Sequence, residues 1–148
     1  MCKCKRKDEI GLLIKFINNK IKKDINKNLI GFNLTATQEK VLWIIFRFNE
    51  NGKDVFQKDI EKELELSNPT ITGIVKRLEE KEMIKRVSSC QDARYKCLTL
   101  TDKGMDIIHE SMDFGINYIE KKLTKNLEEE EVNTLKVLLN KVLDNMEK

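Results

Sequence analysis

The sequence predicts a mainly α-helical protein with one small β-hairpin. Three observations carry that prediction. Apolar residues recur three and four positions apart over several long segments, the spacing of a stripe along a helix. One Pro and six Gly in 148 residues leave too few turn formers for an all-β sandwich. A single stretch, from Ile84 to Thr101, changes to short runs with period-two alternation. Charged residues make up 36% of the chain and hydrophobics 40%, a soluble and folded composition rather than a disordered one. The longest apolar run, Val41 to Phe46, is far too short for a membrane helix.

The first helix is expected from Ile10 to about Leu29, with Ile10, Leu13, Ile14, Ile17, Ile21 and Ile25 on one stripe. Gly31-Phe32-Asn33-Leu34 interrupts it. Thr35 and Thr37 can cap a second helix, with Gln38 and Glu39 near its first turn. That helix holds Val41, Leu42, Trp43, Ile44, Ile45, Phe46 and Phe48, so it should be buried at the centre. Asn49-Glu50-Asn51-Gly52 ends it with turn chemistry. Val55-Phe56 is enough for a stub of strand only. Gln57 to Leu64 reads as a short helix, with Ile60 and Leu64 four apart. Leu66-Ser67-Asn68-Pro69 makes a tight connection. Ser67 can cap the next helix, and Pro69 falls in its first turn, where a missing N–H costs nothing. Ile71, Ile74, Val75 and Leu78 give that helix its buried face, and it ends near Glu82.

Ile84 to Ser89 and Lys96 to Thr101 then form the two strands of the hairpin, joined by the polar loop through Cys90, Gln91 and Asp92. Thr101 caps a helix expected to run to Lys122, with Met105, Ile108, Met112, Ile116 and Ile119 facing inward. The last helix runs from about Glu128 to Met146. Its apolar residues Val132, Leu135, Leu139, Val142 and Met146 alternate three and four apart, widened by Leu138 and Leu143, which is a heptad-like seam.

Charge is distributed unevenly. Residues 1–33 carry nine Lys/Arg against three Asp/Glu, and residues 101–148 seven against eleven. A basic front can meet nucleic acid or another anionic surface, although solvated helix faces account for charge of this size as well. The order of elements is more informative. A short helix, a tight turn, a second helix and a β-hairpin make a winged helix-turn-helix. On the second helix, Asn68, Thr70, Thr72, Gly73, Lys76 and Arg77 are left outside. Short polar groups near a helix N-terminus suit base edges and phosphate, and cations further along suit the backbone. Gly73 costs about 1 kcal/mol relative to Ala in a helix, and one use for it is close approach of another backbone. At the hairpin tip, Arg94 can enter a minor groove, with Asp92 placed to aim its guanidinium.

Three motifs carry a family resemblance. Ser67-Asn68-Pro69-Thr70-Ile71-Thr72-Gly73-Ile74-Val75-Lys76-Arg77-Leu78-Glu79 resembles the recognition helix of the multiple antibiotic resistance regulator (MarR) family. Asp92-Ala93-Arg94 resembles its Asp-x-Arg wing motif, and Leu100-Thr101-Asp102-Lys103-Gly104 its exit from the wing. The resemblance covers nearly the whole chain. It implies a homodimeric bacterial transcription regulator, read here as a repressor on an inverted-repeat operator that a small molecule releases. Residues 35–101 would form the DNA-binding lobe. Residues 1–34 and 102–148 would form the dimerisation region, with Ile10, Ile14, Ile17, Leu135, Leu139, Val142 and Met146 in the interface. DNA contact would fall to Ser67, Asn68, Thr70, Thr72, Gly73, Lys76, Arg77, Asp92 and Arg94. The family often takes small aromatic or lipophilic effectors, which Trp43, Phe46, Phe48, Phe114 and Tyr118 could line. Two departures stand out: Glu82 occupies the position after the recognition helix where Gly is common, and Glu128 begins the last helix where Ser or Thr is common.

Other chemistries have less support. No Gly-rich phosphate loop, nucleophile elbow or His/carboxylate pairing is present, so no enzyme and no cofactor is expected. Cys2 and Cys4 are too close in sequence for the usual zinc-ligand spacing, and His109 stands alone, so no metal site is expected. With no export signal, the expected compartment is the cytoplasm, with Cys2, Cys4, Cys90 and Cys97 as reduced thiols. Two alternatives remain. The cations around Cys2 and Cys4 would favour thiolate and an oxidant-responsive regulator of the same fold. The winged fold can also serve as a protein-interaction module that binds no DNA.

Overall fold

The computed structural model describes residues 8–89 and 91–148. Its helices are α1 (Ile10–Ile30), α2 (Ala36–Glu50), α3 (Gln57–Leu64) and α4 (Asn68–Glu80), followed by strands β1 (Ile84–Ser88) and β2 (Lys96–Leu100). Helix α5 (Asp102–Phe114) leads through a π-helical segment (Gly115–Glu120) into α6 (Lys121–Thr124), and α7 (Glu129–Met146) closes the chain. The predicted fold class, mainly helical with one hairpin, is the observed one. Two compact units divide the chain, one reaching Glu110 and one beginning at Ser111.

The core of the first unit gathers the apolar faces foreseen from spacing. Val41, Leu42 and Ile45 of α2, Ile60 of α3, Ile71, Val75 and Leu78 of α4, Leu98 of β2 and Ile108 of α5 are all buried in one cluster. Thr35 caps α2 by a full capping box: its hydroxyl accepts from Gln38 N, and Gln38 Oε1 accepts from Thr35 N, each at 3.2 Å. The hairpin is antiparallel, with Ile84 opposite Leu100 and Ser88 opposite Lys96. Val55 adds the predicted stub, as Leu98 N donates to Val55 O at 2.8 Å.

The turns explain both departures. Met83 N donates to Leu78 O and Glu82 N to Glu79 O, which closes a Schellman motif at the end of α4. Glu82 is therefore left-handed, at φ 58°, in the place that favours Gly. Asn33, at φ 56°, takes the same role after α1, so the left-handed residue there is Asn33 and not Gly31, which stays right-handed. At the start of α7, Glu131 Oε1 accepts from Glu128 N at 3.0 Å, so the acidic run caps its own helix.

One predicted stretch needs correction. The helix after the wing was expected to continue uninterrupted to Lys122 with a single inward stripe. Instead it passes into the π segment at Gly115. Ile108 and Ile119 are buried as expected and Ile107 joins them, whereas Met112, ahead of the π segment, and Ile116 within it are exposed, the latter at 63%. A π turn bonds i to i+5 and so carries an extra residue, which rotates side chains from Gly115 onward, Ile116 among them, off a 3.6-residue stripe.

Candidate nucleic-acid interface

The apolar face of α4 turns the other face outward. Ser67, Asn68, Thr70, Thr72, Gly73, Lys76 and Arg77 are all exposed. Several of the short polar groups are already tied within the chain. Ser67 caps the helix, accepting from Thr70 N at 3.4 Å, and its hydroxyl lies 2.8 Å from that of Thr70. Gln57 Nε2, on α3, donates to Thr72 Oγ1 at 2.7 Å, and Asn68 Nδ2 reaches Glu61 Oε2 at 3.4 Å. These exposed bonds engage the side chains at the start of α4 within the protomer, so a partner must compete with them or use their remaining lone pairs and protons. A Cβ added at Gly73 would meet nothing within 4 Å, so nothing inside the protomer calls for Gly there.

The wing arranges its charge by local geometry. Tyr95 N donates to Asp92 O at 3.0 Å, which makes a turn of Asp92–Tyr95. Asp92 then receives Arg94 from two directions. Arg94 Nη2 donates to Oδ2 at 2.8 Å, and Arg94 N to Oδ1 at 3.0 Å. Nε sits 3.1 and 3.2 Å from the two carboxylate oxygens. The Arg94 hydrogen bonds, side chain first and backbone second, hold the Asp92 carboxyl below its ordinary value. The carboxylate in turn raises the Arg94 guanidinium above its own. With its side chain 85% accessible, Arg94 projects from the tip while Asp92 is tucked beneath it. The start of the wing loop is pinned by Ser89, whose hydroxyl donates to Asp54 Oδ2 at 2.8 Å.

Residues missed by sequence reasoning lie next to these. Gln57 carries no sequence signal, because its contact with Thr72 spans two helices. Tyr95, 61% exposed beside Arg94, was legible as an aromatic in a polar tip. Lys96 on β2 donates to Ser88 across the hairpin at 3.0 Å.

The exit motif is structural. Thr101 Oγ1 accepts from Gly104 N at 3.1 Å and donates to Glu82 O at 2.6 Å. A Cβ on Gly104 would lie 2.1 Å from the Met83 carbonyl oxygen, so only Gly fits where α5 crosses the end of α4.

Four of the five expected aromatic residues form two pairs, one in each unit, and the fifth, Phe48, has the Arg47 guanidinium 6.0 Å from its ring centre. Trp43 meets Phe46 edge-on at 5.6 Å, and His109 meets Phe46 at 6.3 Å. Phe114 stacks on Tyr118 at 4.8 Å. Of the expected interface residues, Ile10, Ile14 and Ile17 on α1 and Leu135, Leu139 and Met146 on α7 are exposed in the protomer, and Val142 is half-buried. Cys97 is a buried thiol on β2; Cys2, Cys4 and Cys90 lie outside the described residues.

Comparison with known proteins gives a consistent result. The profile described as the MarR family matches residues 34–96. The multiple antibiotic resistance protein MarR of Escherichia coli is 31% identical over 134 residues, 90% of either chain. The transcriptional regulator MgrA of Staphylococcus aureus is 34% identical over 118 residues, 80% of this chain and 76% of that one. Among solved structures, a variant of S. aureus MepR superposes with a TM-score of 0.83 at 27% identity, covering 93% of this chain and 98% of that one. An S. aureus MepR–DNA complex superposes at 0.67 and 26% identity, covering 95% and 99%. MepR bound to ethidium bromide superposes at 0.70 and 27% identity, covering 93% and 96%.

Proposed function

The chain belongs to the MarR family of winged-helix DNA-binding transcription regulators, and from that premise we propose that it is a homodimeric repressor on an inverted-repeat operator, released by a small molecule. The observation that carries this reading is the pairing of an outward polar face on α4 with a guanidinium braced at the wing tip. Thr70, Thr72, Lys76 and Arg77 enter the major groove with Ser67 and Asn68 near phosphate, and Gly73 lets the duplex backbone come close. Arg94, aimed by Asp92, enters the flanking minor groove, whose negative potential is greatest where it is narrow and A·T-rich. The MepR–DNA complex supports duplex DNA as the partner.

In this reading residues 35–101 are the DNA lobe, and residues 1–34 and 102–148 dimerise. The exposed apolar stripes of α1 and α7 support a second copy, because contiguous apolar surface of this kind is rare on monomers. The ethidium-bound relative supports a lipophilic aromatic effector.

Selection from a random duplex library tests the proposal. The expected product is an inverted repeat with half-site centres ~10–10.5 base pairs apart, because both recognition helices must meet one face of the duplex. Binding should weaken as log salt rises. Absence of salt-dependent duplex binding would favour the interaction-module alternative and overturn the reading.

A further inference from the structure

The C-terminal cap of α4 is held by more than its own helix. Lys81 is the cap residue, and its ammonium donates both to the backbone carbonyl of Asn33 and, at 3.1 Å, to Gln38 Oε1. Asn33 is the left-handed residue of the turn between α1 and α2, and Gln38 is a buried amide, 4% exposed, in the capping box of α2. From the other side, Lys103 Nζ on α5 donates to Lys81 O at 2.9 Å, and Thr101 Oγ1 donates to Glu82 O. One end of the recognition helix is thus gripped by the turn that follows α1 and by the start of α5.

We propose that Lys81 is a positioning residue: it fixes the angle of the recognition helix to α1, and through it the half-site spacing that the dimer accepts. The inference rests on the reading of the protein as a dimer on DNA with α1 in the interface. The lever arm supports it. Helix α4 has thirteen residues, so its far end lies roughly 20 Å from the cap at about 1.5 Å per residue. A pivot of about 10° at the cap moves that end by about 3.5 Å, close to the ~3.4 Å step of one base pair. The apolar face of α4 resists sliding but lets a helix rock about its contact line. A charged hydrogen bond onto a carbonyl fixed in a tight turn restrains that rocking.

The test measures affinity for duplexes in which two half-sites are separated by spacers varied one base pair at a time, together with a duplex bearing one half-site. Wild type, Lys81→Met, Lys81→Gln and Lys81→Arg are compared after thermal melts identify the folded variants. Wild type should show a sharp spacing optimum. In Lys81→Met, or in Lys81→Gln if only that variant folds, the preference for the best spacing should fall about three- to tenfold, the scale of one partly solvent-exposed hydrogen bond, with single half-site affinity within about twofold. Lys81→Arg should restore the optimum. A Lys81→Met profile that superposes on wild type, or one weakened equally at every spacing and at the single half-site, overturns the assignment. Failure of wild type itself to bind duplex DNA overturns the DNA reading and the inference together.

Discussion

Asp92 and Arg94 show how a loop holds a cation in place without burying it. The two side chains share a turn, and the carboxylate accepts both the guanidinium and the Arg94 backbone N–H. Because the Asp92 pKa is lowered, the pairing is in force above the ordinary carboxylate value and is lost as pH falls through the depressed one. We expect Arg94→Ala to raise the Asp92 pKa part of the way to its usual value, because the backbone N–H at position 94 still donates to the carboxylate; an NMR titration of the carboxyl carbon reads this directly, and an unchanged titration would detach the two side chains. Glu82 and Gly104 act on the backbone instead. Glu82→Gly should stabilise the protein by about 0.5–1 kcal/mol by relieving a left-handed side chain. Gly104→Ala should destabilise by at least about 1–3 kcal/mol, since a methyl group cannot share space with the Met83 carbonyl. Chemical denaturation measures both, and opposite signs are the diagnostic result. Sequence marked both positions through their motifs. The collision at Gly104 was not legible, because Met83 is distant along the chain and only the fold brings it there.

At the scale of the element, α4 divides its duties by face. Its inner residues decide whether the helix stays, and its outer ones decide what it meets. Gly73 separates these roles: a Cβ there enters open space, so Gly73→Ala should raise stability by about 0.5–1 kcal/mol through helix propensity. If the duplex backbone comes close at that point, the same substitution should weaken DNA binding, and a gain in both properties would remove Gly73 from the interface. Lys76→Ala should leave stability within about 0.5 kcal/mol and lower the slope of log affinity against log salt by about one if the ammonium meets phosphate. An unchanged slope and affinity would place Lys76 off the DNA. Helix α5 shows the limit of periodicity. Its stripe of Met105 and Ile108 was read forward at 3.6 residues per turn, but Met112 already lies outside it, and the π segment from Gly115 shifts the phase again for Ile116. Nothing in the residue types from Gly115 to Glu120 distinguishes a π turn from an α turn with a Gly at its start.

At the scale of the whole molecule, the proposed assembly rests on the exposed apolar stripes of α1 and α7. Leu139 is 47% exposed in the protomer, so a polar residue there is tolerated by the single chain. In a dimer seam the same charge would be buried without a partner, which is expensive. Leu139→Asp is therefore expected to keep its helical content and yield a monomer by light scattering. A mass that remains dimeric would move the interface away from α7. The uneven charge fits the same arrangement, with the acidic residues concentrated in the last third of the chain.

What the sequence by itself determined is local. Capping residues, turn formers and hydrophobic spacing set the order and type of the helices and the hairpin, because these depend on neighbours within a few positions. The outward set on α4 and the Asp92–Arg94 brace were legible for the same reason. Only the tertiary structure decided which polar groups were already engaged. Gln57 on Thr72, Lys81 on Asn33 and Gln38, Thr101 on Glu82 and Gly104 beneath Met83 all join residues on different elements. Such contacts depend on how helices cross, and helix crossing follows from packing of the whole core rather than from any pattern along the chain.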